Sequence, residues 1–96
     1  MSETIHDLIK KEEILTLHPI EQDVLSLRDK QADRIRRLDQ ALENAQRHHR
    51  QAIVTFQTEE GIKQVRATIW AMTDKNIVLK GGITIPVCSI LNVELA

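Results

Sequence analysis

Tyrosine is absent from this chain, and Phe56 and Trp70 are its only aromatic residues. A core built from it must be packed by Ile, Val and Leu, which a hydrophobic content of 42% supplies in sufficient number. The single cysteine, Cys88, excludes an intramolecular disulfide and a cysteine-based zinc site, and a reducing compartment follows. No run nears the roughly eighteen apolar residues that a membrane helix needs. The start, Met1-Ser2-Glu3-Thr4, is acidic and polar where a signal peptide is basic and then apolar. The expectation is a soluble, unexported, cytoplasmic protein with no membrane partner. Also missing are a glycine-rich phosphate loop, a nucleophile elbow and a His-Glu-x-x-His helix, so neither an enzyme nor a cofactor site is expected.

The near-neutral formal charge of -1 conceals an asymmetry. Residues 1–27 carry a net -4, residues 28–50 a net +3, and residues 51–96 a net zero. An acidic head, a basic helix and a neutral remainder suit either a nucleic-acid surface or head-to-tail pairing of two copies.

Two regions divide the chain, a helical arm over residues 1–50 and a β-module over residues 51–96. Within the arm, Ser2 caps a short helix over about 3–11, whose Ile5, Leu8 and Ile9 recur at helical spacing. Pro19 then suits the first turn of a new helix, with Glu21 where a capping acid sits. From there to about His48 no glycine or further proline intervenes, which predicts one long helix over 19–48, about 45 Å in length. Ile35, Leu38, Leu42 and Ala45 form a heptad seam on it. A module of 46 residues, roughly 25 Å across, is too small to cover such a helix, so the seam is expected to make a homodimer.

After Arg50 the apolar period changes from about 3.6 to 2. Strands are predicted over 52–57, 63–72, 76–80 and 83–86, then a single tight turn at 88–90 and a last strand through Leu91, Val93 and Leu95. Gly81-Gly82 supplies the hairpin turn, where positive φ is cheap. Trp70, with Ile53 and Val78, falls on a second apolar face and is predicted to anchor the helix to the module.

A helix, five short strands and a one-turn helix before the last strand resemble an SH3-like or Sm-like small barrel. The ending Ile85-Pro86-x-x-x-Ile90-x-x-Val93-Glu94 is similar to endings of several small bacterial barrels. The resemblance covers the C-terminal half and implies an α+β chain, its long helix and short preceding helix followed by a five-stranded antiparallel barrel. In Sm-like proteins an Arg/Lys-Gly turn contacts RNA, and Lys80-Gly81 is the nearest match. It follows the third strand, however, where the Sm turn precedes the fifth. The resemblance therefore implies a fold and no activity.

Individual residues offer little chemistry. His48 and His49 are adjacent, so on a helix they point about 100° apart and do not share a metal, and His6 and His18 are remote. Cys88, between Val87 and Ile90, reads as a small buried hydrophobe. Arg34, Arg37, Arg47, Arg50 and Lys80 are the candidate phosphate contacts, although Asp33 and Glu43 stand four residues before Arg37 and Arg47. The leading expectation is thus a non-enzymatic protein-interaction or scaffold module, self-associating through the helix. Under it, Leu38→Glu with Leu42→Glu gives a folded monomer. The alternative is an RNA- or DNA-binding module using the basic helix end and the barrel.

Overall fold

A computed structural model describes residues 7–96 of the chain. It is an α+β protein in which one helix, α1 (Arg28–His48), packs against strands arranged in two sheets. The strands are β1 (Asp7–Ile9), β2 (Ala52–Thr58), β3 (Gly61–Ala67), β4 (Ile69–Met72), β5 (Asn76–Leu79), β6 (Thr84–Pro86) and β7 (Ile90–Leu95). Their order is β1-β3-β2-β7 in one sheet and β4-β5-β6 in the other. All pairings are antiparallel except β1 with β3, which is parallel.

This corrects the expected five-stranded barrel. Seven strands form, and among the described residues no ladder joins the two sheets, so no barrel closes. Two local causes account for it. The stretch expected as one strand over 63–72 breaks at Thr68, whose carbonyl accepts the Lys80 N–H, and the chain passes there from one sheet to the other. At the opposite side, α1 packs on both β7 and β4, the outer strand of each sheet. The helix lies over the gap between those two edges and shields them from further pairing.

The core matches the composition. Phe56, Leu38, Ile69, Ile77, Leu79, Ile85, Ile90, Val54 and Val65 are fully buried, one aromatic among aliphatics. The β5–β6 hairpin turns at Gly81 and Gly82, with φ of 98° and 87°, values that a side chain would strain.

The arm departs further from expectation. The part of the predicted 3–11 helix before Asp7 lies outside the described residues, and the rest is β1 followed by a 3-10 helix at Lys11–Thr16. Leu8 and Ile9 in succession fit a strand as well as a helix, and β3 offers an edge to pair with. The long helix begins at Arg28 instead of Pro19. Residues 17–27, hereafter the strap, give their backbone groups to distant segments: Pro19 bridges Thr58, Ile20 N–H donates to Gln57 O, and Val24 N–H donates to Cys88 O. At 21 residues α1 is about 31 Å long. That fits within a molecule of 33 × 30 × 30 Å, so the helix is not the long protruding arm that was expected. The helix ends at His48, where His49 turns left-handed and its N–H donates to Ala45 O.

Candidate binding groove

Four residues of α1 share one face: Arg28 and, three, four and seven positions after it, Gln31, Ala32 and Ile35. They form one wall of an open groove of about 980 Å³. The opposite wall comes from the β4–β5 turn, Asp74 to Asn76, and from Pro86, Val87 and Cys88 at the start of the 3-10 helix Val87–Ser89. The strap closes one end with Pro19, Glu21 and Asp23. Apolar side chains alternate with charges of both signs around it.

Arg34 fixes this arrangement from below. It is only 6% exposed, and its guanidinium forks onto Asp23 at 3.0 and 2.7 Å while also donating to the Ile90 carbonyl at 3.1 Å. Its buried Nε has no hydrogen-bond partner. The hydrogen bonds from Arg34 hold the Asp23 carboxyl below its ordinary 3.8, against the opposing effect of desolvation. Helix, strap and the first residue of β7 are thereby joined through one cation. Asp23 also accepts the Leu25 N–H, and Gln31 Nε2 donates to Leu25 O, so the strap is carried directly into the helix.

The far end of the strap is held differently. One carboxylate, Glu60 in the β2–β3 turn, takes the His18 N–H at 3.0 Å and lies 2.7 Å from His18 Nδ1. Glu59 N–H donates back to His18 O. The hydrogen bond to Glu60, then its charge, raise His18 above 6.5, and the N–H and ring of His18 lower Glu60 below 4.5. Cys88 sits midway, its Sγ 3.6 Å from the Ile20 carbonyl.

Most sequence-predicted site residues lie elsewhere or do other work. Of the expected self-association seam, Leu38 and Ala45 are buried within the protomer, Leu42 packs partly against the core, and Ile35 alone remains 40% exposed. The seam is therefore not a free surface: the buried stripe of α1 is Arg34, Leu38, Ala41 and Ala45, which keeps Leu38 and Ala45 of the predicted one and replaces Ile35 and Leu42 by Arg34 and Ala41. Trp70 is not the anchor, being 52% exposed, with Ile53 and Val78 only partly buried. A register shift between Ile69 and Ala71 turns the indole out, and Ile69 enters the core in its place. Among the candidate phosphate contacts, Arg34 is internal. Arg37 pairs with Asp33 and Asn92, Arg47 with Glu43, and Arg50 with the Ala96 carbonyl, while Lys80 is exposed. Asp33 also accepts from Arg36, whose hydrogen bond is the main cause holding its carboxyl below 3.8.

The groove was invisible to sequence reasoning because a helix over 19–48 places Asp23 and Arg34 about 16 Å apart along one axis. One signal was present: Arg34 precedes Leu38, Ala41 and Ala45 at spacings of four, three and four, the mark of a residue on the inner face. Among the described residues no group of three or more His, Cys, Asp or Glu side chains could hold a metal ion, and no helix is long and apolar enough to cross a membrane. No family model, curated protein or solved structure matches the chain.

Proposed function

We propose that the chain is a small, non-enzymatic, cytoplasmic protein-interaction module that receives a segment of a partner protein in the groove beside α1. The observation that carries this reading is the uncovered helical face Arg28, Gln31, Ala32 and Ile35. The next stripe round is buried against the protein's own strands, whereas this one borders open space with an apolar isoleucine at its C-terminal end. A concave site lined by apolar side chains and charges suits a peptide that inserts one apolar side chain and pairs its polar flanks with the charged rim. Arg28 and Lys75 are the cations of that rim, and Glu21 and Asp74 its anions.

Selection of peptides from a displayed random library, followed by amide chemical-shift mapping, tests the reading. Selected peptides should perturb Ala32, Ile35, Lys75 and Val87 together, and Ile35→Glu should abolish their binding. Peptides that map to another face, or that bind Ile35→Glu unchanged, overturn it.

The nucleic-acid alternative loses Arg34 to the interior, and two of its other cations, Arg37 and Arg47, are already paired with carboxylates. Labelled single-stranded RNA and DNA should show flat anisotropy at about 50 and about 200 mM salt. A saturable, steeply salt-dependent rise would replace the docking reading.

A further inference from the structure

We propose that the strap is a movable wall of the groove, clasped shut on the β2–β3 turn by His18 and Glu60 and released when that clasp discharges. It regulates the groove already described and rests on the docking reading for its consequence, although the motion itself needs no partner. The geometry is that of a segment without helix or strand, held at separate points. Its inner end is fixed by the buried Arg34–Asp23 fork. Its middle is held by Ile20 N–H to Gln57 O, Val24 N–H to Cys88 O, and the Cys88 thiol to Ile20 O. Its outer end is held by the clasp, where Glu60 grips the backbone with one oxygen and the imidazole with the other, and by the Glu59 N–H to His18 O bond beside the Pro19–Thr58 bridge. Pro19, between the outer and middle ties, and Glu21, between the two middle ones, are wall residues of the groove.

The outer tie contains an imidazole, whose charge changes near neutral pH. The charged groups facing His18 are Glu60 and, more weakly, Glu59, both acidic and both in the same turn. The nearest ionisable residue along the strap is Glu21. Because the folded protein raises the affinity of His18 for its proton, the clasp is fully formed below about 6.5 and weakens as pH rises through the higher folded value. A neutral imidazole still donates from Nδ1, so what is lost is the charge attraction of an exposed pair. That corresponds to a change of about twofold to fivefold in the opening equilibrium.

Cys88 reports the motion. It is half-buried, lines the groove, and its sulfur faces the strap carbonyl that would leave. Alkylation of Cys88, normalised at each pH to alkylation of the urea-unfolded chain, removes the intrinsic thiolate dependence. The normalised rate should rise about twofold to fivefold between about pH 5.5 and about pH 8. In Glu60→Gln it should be high at both pH values and flat. Hydrogen exchange of the Ile20 and Val24 amides should follow the same course, while the Val54 amide of β2 keeps its protection. A normalised rate that is flat in the wild type, or identical in wild type and Glu60→Gln, overturns the proposal. So does parallel loss of protection at Val54, which would make the effect one of global stability. Failure of the peptide selection leaves these outcomes intact, and their failure leaves the peptide map intact, so the two readings fall separately.

Discussion

Leu38 and Ile35 are three residues apart on α1 and have opposite fates, the first 1% exposed and the second 40%. Leu38→Ala should therefore cost about 2 to 5 kcal/mol, read from denaturant unfolding. Ile35→Glu should change stability by less than about 0.5 kcal/mol. Equal effects at the two positions would contradict the burial pattern. Leu38→Glu with Leu42→Glu, conceived as a route to a folded monomer, is expected to unfold the chain instead. Asp23 is the second sensitive position. Its removal leaves the Arg34 guanidinium buried without a counter-charge, so Asp23→Ala should cost about 3 kcal/mol. Because Arg34 lowers the Asp23 pKa, that contribution is present above 3.8 and lost as pH falls through the folded value. The acid limb of the stability curve should accordingly be shallower in Asp23→Asn.

At the scale of elements, α1 begins without a capping side chain at its N-terminal flank. Its N-terminal flanking residue, Leu27, has extended backbone angles and no side-chain cap, and its side chain is exposed. Leu27→Asp should supply an acceptor for the first free N–H groups and meet the positive end of the helix, raising stability by about 1 kcal/mol. An unchanged or lowered midpoint would show that the strap, not the helix end, holds Leu27 in place. The end of α1 at His48 and the β5–β6 turn at Gly81-Gly82 were legible in the sequence, because a switch of apolar period and a glycine pair are local signals. The start of α1 was not legible. Residues 19–27 contain nothing that forbids a helix, and only their long-range hydrogen bonds draw the backbone away from one.

For the whole molecule, the two sheets stay separate because α1 occupies the space between their outer strands. The groove borders the same helix: α1 packs on β4 and β7, and its stripe Arg28, Gln31, Ala32 and Ile35 is left facing open space. Charge follows the fold as well. The basic stretch expected on a protruding arm is folded against the β-module, with Arg34 consumed inside and most other arginines bonded to neighbouring acids or carbonyls. The anisotropy of labelled nucleic acid should consequently stay flat on addition of the protein.

The sequence by itself determined an aliphatic core with one aromatic, an α+β composition, the alternating strands of the C-terminal half and the position of its turns. Each of these depends on residue type and spacing within a few positions, where periodicity and backbone preference act directly. Tertiary structure alone decided the parallel strand β1, the strap, the late start of α1, the outward turn of Trp70 and the burial of Arg34. Those features depend on partners far along the chain: Glu60 for His18, 42 residues away, and Ile90 for Arg34, 56 residues away. A segment with no strong period of its own takes the conformation that best satisfies its backbone groups, and those groups find their partners only once the sheets exist.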